Sequence, residues 1–464
     1  MTAAANPPQR VGLRGRVLKA GSWIVGGQLI GQLIRLCSNV ILTHLLFPDA
    51  FGLMSVVNVL ITALGLFSDI GIVRSIVQSP RGEEPEMLNT AWTIQVIRGQ
   101  FLALGCVVAA FAFALTAHAG LAKAGTVYAD SRLPWIVGVF AIVPVISAFD
   151  SIRNAVARRH MHLHVLIKMD VITQFTTAVV MVLVAMATRS IWTLIVGAVT
   201  TALVRCVMGH IVLPGHREKL QLDKPALREL MSHGKWIFMS SILTFLATNG
   251  DRIFLGGIID AREFGLYVIA LLIVAVPQTL ASMLCNSIVY PALSEVFRER
   301  SHELGRVLQR FQWGYDAIVT LLFAALVTAG PALVDVLYDS RYHAAGWMMS
   351  ILSVGMIGMR FQVVEQCYQA VGKPQYMTLA NLLRLATMVA GVFIGRHVAG
   401  MQGIVIGIAL SQYAAWPLAL WFKGRYHALT LRAELLLVPA IVVGLGAGWL
   451  VSLAVHHLFA RRFV

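Results

Sequence analysis

Long apolar stretches recur along the whole chain, separated by short segments that hold most of its charge. Each stretch is close to the roughly 20 mostly apolar residues that a bilayer-crossing helix needs. Hydrocarbon offers no partner to a bare backbone, so a continuous spanning segment has to be a helix. Thirteen are predicted, at about 21–47, 50–70, 91–116, 133–150, 165–188, 191–213, 236–258, 264–290, 313–337, 345–369, 378–395, 402–421 and 434–456. The first and seventh are the most polar, and the thirteenth has no partner after it. The connecting segments are too short for a soluble domain.

An internal repeat organises these helices. Gly21-x-Trp23 matches Gly234-x-Trp236, Leu42 matches Leu255, and Phe51-Gly52-Leu53 matches Phe264-Gly265-Leu266, every pair offset by 213 residues. Each match alone is weak, but a common offset held over more than thirty positions without a gap is not. Six spans separate the copies, an even number, so both enter the membrane in the same orientation and form a parallel repeat. The predicted fold is all-α and polytopic: two six-helix bundles as V-shaped lobes around a central cavity, plus one C-terminal helix. The expected division is a basic tail (1–20), an N-terminal lobe (21–213), a linker (214–235), a C-terminal lobe (236–422) and an added helix with its tail (423–464).

Composition agrees. Of the 464 residues, 58% are hydrophobic and 13% charged, where a soluble domain has about 25% charged. The net charge of +15 would suit nucleic acid, but its distribution does not: the basic residues lie in short loops between spans, where they set orientation. With the N-terminus inside, and with Lys168 and Arg252 counted with the loops adjoining their spans, 23 of the 37 Lys and Arg fall on the inner side and nine on the outer, with five more within spans. That bias places the N-terminus in the cytoplasm. Residues 1–20 hold Arg10, Arg14, Arg16 and Lys19 with no apolar core of their own, unlike a cleavable signal. The five cysteines, Cys37, Cys106, Cys206, Cys285 and Cys367, sit in apolar runs and read as small hydrophobes.

Polar residues within spans carry the candidate chemistry. Gln28, Gln32, Arg35, Asn39 and Thr43 follow steps of 4, 3, 4 and 4, one face of the first helix. Such a face meets protein or water, and an arginine in it favours a water-filled cavity over an amide-glued helix contact. Arg35 and Arg360 are the deepest arginines; Arg98, Arg205 and Arg384 lie nearer the inner ends and could snorkel to the surface. Guanidinium binds phosphate in a bidentate fork, so a cavity lined this way should hold an anion. The intramembrane or bordering acids are Asp69, Asp150, Asp170, Asp251, Asp316, Asp335 and Glu365. Asp251 ends a second stripe (Ser240, Thr244, Thr248), and Glu365 lies among Gln362, Gln366 and Gln369. Either could take a coupling ion, H⁺ or Na⁺, or could serve as a structural partner to a nearby arginine.

The histidines of Arg158-Arg159-His160-Met161-His162-Leu163-His164 fit a solvated basic loop better than a metal site. With no Walker loop and no nucleophile elbow, the sequence predicts neither a nucleotide-driven pump nor an enzyme, and no cofactor.

The opening GxW…LTHLLFPDAFGLMSVV and its echo GDRIFLGGIIDAREFGLYVIA resemble the polysaccharide transporter family. These are Wzx-type lipid-linked oligosaccharide (O-antigen) flippases of the multidrug/oligosaccharidyl-lipid/polysaccharide superfamily. The likeness covers about the first 300 residues, the remainder matching in topology. It implies a central cationic cavity and alternating access in a bacterial inner membrane. The substrate would be an undecaprenyl-pyrophosphate-linked oligosaccharide for lipopolysaccharide or exopolysaccharide, with membrane lipids and a polymerase or export complex as partners. Arg35 matches the basic first-helix position expected of such cavities. Asn381-x-x-Arg384 departs from the acidic ion ligand expected in peptidoglycan-precursor relatives. The expectation is thus a flippase, with phosphate on the cavity arginines and sugar on amides such as Gln28, Gln32 and Asn39. A multidrug antiporter on the same fold and a membrane polysaccharide polymerase remain as alternatives.

Overall fold

The structure is a computed structural model that describes residues 13–67, 72–160, 162–231, 234–428 and 437–459. Residues 1–12 of the basic tail, Asp69 and the last five residues, 460–464, lie outside them, as do the side chains of Trp23, Trp236, Ser240 and Thr244. The described chain is helical: α1 Leu13–Leu45, α2 Pro48–Phe67, α3 Ile72–Gln78, α4 Pro85–His118, α5 Leu133–Phe140, α6 Ile142–Ala148, α7 Arg153–Arg159, α8 Leu163–Thr188, α9 Trp192–Val212 and α10 Lys224–Met231. There follow α11 Gly234–Ile258, α12 Ala261–Leu284, α13 Tyr290–Glu299, α14 Leu304–Leu337, α15 Ala345–Met356, α16 Gln362–Ala370, α17 Gln375–Ser411, α18 Trp416–Arg425 and, last, α19 Leu437–Phe459.

Among the described residues nine helices are long and apolar enough to cross a membrane, or ten when the bent pair 133–148 and 153–159 counts as one. One of the nine, 375–425, is 51 residues long, about 77 Å at 1.5 Å per residue. It crosses twice, because α17 breaks at Ala399 (φ −143°) and at Gly400 (φ 57°), a left-handed position that suits glycine. Its halves return against each other on paired small residues. A Cβ on Gly395 would come within 2.1 Å of the Gly403 carbonyl oxygen, and one on Gly391 within 2.9 Å of that of Gly407. This is the small-xxx-small packing that drives helix association in lipid, where burial of apolar surface gives no net gain. Besides these, α1 (33 residues) and α11 (25 residues) are long enough to cross and carry the polar stripes.

Two six-helix bundles result, with α10 in the linker between them. The added helix α19 lies along α14, seated on Gly444 and Gly448: a Cβ on Gly448 would sit 2.0 Å from the Ala325 carbonyl oxygen, and Thr328 donates to the Leu445 carbonyl at 2.9 Å.

The 213-residue offset reappears as a symmetric contact. A Cβ on Gly52 would lie 3.1 Å from the Ala261 carbonyl oxygen, and one on Gly265 only 1.9 Å from that of Pro48. Gly52 pairs with Gly265, and Pro48 with Ala261, by the same 213-residue step. α2 and α12 therefore cross where a pseudo-two-fold axis passes between the lobes, close enough that only glycine fits on either side.

Candidate functional site: an inward-opening cleft between the lobes

The hydrogen bonds that join the lobes among the described residues cluster at one end. Tyr128, in the turn before α5, donates to the Ile253 carbonyl at 2.8 Å, and Ala261 N–H donates to Gly125 at 3.0 Å. From the other lobe, Tyr342 donates to Leu46 at 2.9 Å, and Arg341 reaches the His44 carbonyl at 3.1 Å while covering the Phe47 ring at 4.8 Å. Each lobe thus sends one tyrosine, from the equivalent loop, onto the other lobe's first-helix region. Arg132 clamps Asp49 and Asp130 beside this closure, both at 2.7 Å. Burial opposes ionisation of Asp130, but the Arg132 contacts prevail and hold its carboxyl below the usual range. By the charge bias of the loops this end is the outer one.

Away from that end the lobes part. On α12 the line Ala261, Gly265, Val268, Leu272, Ala275, Thr279, Ser282, Asn286 advances by alternating steps of 4 and 3, one face of the helix. Along it Gly265 and Val268 are buried, Leu272 is 36% exposed, Ala275, Thr279 and Ser282 are half-buried, and Asn286, in the π-helical turn just after α12, is exposed. On α2 the matching face runs from buried Gly52 and Ser55 to exposed Asn58 and Thr62. An exposed amide at this depth faces water rather than lipid, which cannot satisfy it. The cleft therefore opens inward.

α1 carries the polar stripe and packs on α8. One of its faces exposes Ile30, Leu33 and Ile41, as lipid contact requires; the opposite face exposes Gln28 and Arg35, with Gln32 and Asn39 half-buried beside them. Arg35 is the arginine of the predicted set whose side chain is exposed on a polar helix face with no ion pair described. Thr43, at the end of the stripe, is buried under the outer closure.

The other candidates lie elsewhere. Arg360, expected in the cavity with Arg35, is 3% exposed and buried inside the C-terminal lobe. Its Nη2 meets Asp316 Oδ2 at 2.6 Å, and Gln312 donates both to Asp316 Oδ1 at 2.6 Å and to the Arg360 carbonyl at 2.7 Å. Arg384 is paired with Glu365, so the carboxylate expected to take a coupling ion already holds a cation from the neighbouring span. Asp251 accepts from the Tyr267 hydroxyl at 2.5 Å rather than serving Arg252. Arg205 pairs with Asp150 at 3.4 Å, and Arg98 donates to the Gly65 carbonyl at 2.6 Å, tying α4 to the inner end of α2. The loop histidines lie ring to ring, one pair tilted and the other edge-on, with His160 on Glu83 at 3.1 Å; among the described residues no His, Cys, Asp and Glu cluster fits a metal.

Sequence reading missed a paired row of polar side chains in the C-terminal lobe. Gln362 donates to Ser282 at 3.2 Å and accepts from Tyr315 at 2.8 Å; one turn on, Gln366 donates to Asn286 at 3.0 Å. Both rungs join residues 80 apart. Gln278, Ser282 and Asn286 are spaced by four, which was the available signal. The π-helical turn Cys285–Val289, which sets Asn286, has no such signature. π-turns of this kind recur at functional sites.

Comparison with known proteins adds the following. Residues 41–346 match the family described as "Polysaccharide biosynthesis protein". Lipopolysaccharide biosynthesis protein WzxC of Escherichia coli (strain K12) is 21% identical over 412 residues, covering 86% of this chain and 79% of that protein. Amylovoran biosynthesis protein AmsL of Erwinia amylovora is 22% identical over 258 residues, 53% of this chain and 64% of that one. Among solved structures, lipid II flippase MurJ in an inward closed conformation superposes with TM-score 0.65 at 10% identity, over 96% of this chain and 99% of that one. A MATE family multidrug transporter of the MOP superfamily, inward-facing, superposes with TM-score 0.64 at 14% identity, over 86% and 95%.

Proposed function

The chain belongs to the polysaccharide biosynthesis protein family, and from that premise we propose that it is a flippase for a polyprenyl-diphosphate-linked oligosaccharide. It is a multi-pass bacterial inner-membrane transporter, not an enzyme. The observation that carries the proposal is Arg35, an exposed arginine on a polar face of α1, a face we read as lining the inward-opening cleft. A guanidinium facing water in such a cleft can hold an anionic diphosphate through bidentate, charge-assisted hydrogen bonds. Neutral polar side chains of the cleft would take up sugar, and the prenyl chain would stay in the bilayer. Transport by alternating access would break the closure at the outer end while the inner ends converge.

A coupling ion, H⁺ or Na⁺, would have to displace Arg384 from Glu365 or Tyr267 from Asp251. Consumption of the flipped lipid outside, by a polymerase or export complex, supplies direction without one. Export of organic cations, the alternative on this fold, is disfavoured because Arg35 would repel them. The test is deletion of the gene. Lipid-linked oligosaccharide should accumulate, the polymerised glycan should disappear, and drug susceptibility should not change. Normal glycan with new drug sensitivity would overturn the proposal.

A further inference from the structure

We infer that the paired polar side chains of the C-terminal lobe, Ser282–Gln362 and Asn286–Gln366, form the subsite that holds the glycan, opposite an N-terminal wall that holds the diphosphate. The inference rests on the flippase reading and divides its cleft chemically. The exposed intramembrane cation, Arg35, is on the N-terminal side. Across the cleft, Arg360 and Arg384 are paired with Asp316 and Glu365. What that lobe presents on the cleft-facing line of α12 is neutral: Thr279, Ser282 and Asn286.

Its chemistry suits hydroxyl groups. An amide offers donor and acceptor together, as a sugar hydroxyl does, whereas a diphosphate oxygen only accepts and needs charge. Asn286 is exposed and accepts from Gln366 through its oxygen, while its Nδ2 has no partner among the described residues. Gln366 is 5% exposed and Tyr315 4%, so the second row is locked from behind and fixes the first. Position also fits. Ser282 and Asn286 are 21 and 25 residues below Ala261 at the outer closure, about 32–38 Å at 1.5 Å per residue. That is the inner mouth, where a glycan built in the cytoplasm arrives first.

The test uses the full-length protein in nanodiscs and two probes: farnesyl diphosphate, and the prenyl-diphosphate-linked oligosaccharide extracted from the bacterium's own membranes. Wild type should bind the glycosylated lipid more tightly than farnesyl diphosphate. Asn286→Ala and Ser282→Ala should each weaken the glycosylated lipid about two- to tenfold, the worth of one hydrogen bond. Both should leave farnesyl diphosphate binding unchanged, which also shows that the variants fold. Arg35→Ala should weaken both probes. If Asn286→Ala and Ser282→Ala change neither probe, or weaken both equally, the amides are not a glycan subsite and the inference fails. If wild type binds neither probe, the flippase reading itself fails and takes the inference with it.

Discussion

Replacing Arg360 by Met separates a structural arginine from a substrate-binding one. The guanidinium is 3% exposed, bonded to Asp316 at 2.6 and 3.3 Å, and lies 5.2 Å from the Phe361 ring centroid. Asp316 is 6% exposed. Met fills similar volume, so the loss is that of the pair and not of packing. Removing one member of a buried pair leaves the other charge uncompensated, which costs about 3–5 kcal/mol. Gln312 still donates to Asp316 and the buried Lys423 still acts on it, so the lower end of that range is expected. That is a large fraction of the 5–15 kcal/mol by which a typical domain is stable. Arg360→Met should therefore show reduced membrane levels and a thermal midpoint in detergent several degrees below wild type. The double variant Arg360→Met/Asp316→Leu should recover most of that shift, because an apolar pair of similar size replaces a buried ion pair at little cost. Binding of farnesyl diphosphate by the double variant should match wild type. An Arg360→Met protein of wild-type stability that no longer binds the diphosphate would refute the reasoning and return Arg360 to the substrate site.

Arg35→Ala should insert normally and lose about 1.5–3 kcal/mol of diphosphate binding, read by titration in nanodiscs. Arg35→Lys should recover only part, since an ammonium cannot make the bidentate fork. Gly265→Val should prevent outer closure, because its Cβ would meet the Pro48 carbonyl at 1.9 Å; a cysteine at Phe51 should then react with a membrane-impermeant thiol reagent from outside, and lack of labelling would count against the closure. Glu365→Gln should lower stability by breaking the pair with Arg384 and should leave the dependence of flipping on a pH or Na⁺ gradient as in wild type; a changed gradient response would reinstate Glu365 as an ion site. With thirteen spans and an internal N-terminus, a reporter after Val464 should read as external and one within 214–235 as cytoplasmic. A cytoplasmic C-terminus would sink that topology.

Span lengths, the repeat and the polar stripe of α1 are local or periodic properties, and a chain read in one dimension displays them. The offset between Phe51-Gly52-Leu53 and Phe264-Gly265-Leu266 revealed the repeat, but that the same glycines sit where α2 crosses α12 emerged only from the structure. Arg35 could be placed on a polar face because its neighbours at steps of three and four are amides. Arg360 could not be assigned the same way. Its partner Asp316 is 44 residues distant on another helix, and whether a buried arginine faces water or a carboxylate depends on which helices touch. The pairing of Glu365 was hidden for the same reason, its partner Arg384 being on the next span. The amide row was half visible, as a four-residue spacing. Its rungs depend on a π-turn and on the packing of α16 against α12, which no local pattern encodes.

The most direct test is flipping by the purified protein in sealed vesicles. The bacterium's prenyl-diphosphate-linked oligosaccharide is incorporated in both leaflets, and the fraction reached by an external sugar-modifying enzyme is measured over time. Wild type should raise that fraction from about half towards completion within the assay, and Arg35→Ala should leave it near half. Equal exposure of the glycan with wild type, with Arg35→Ala and with protein-free vesicles would contradict the central claim that this cleft carries a lipid-linked oligosaccharide across the membrane.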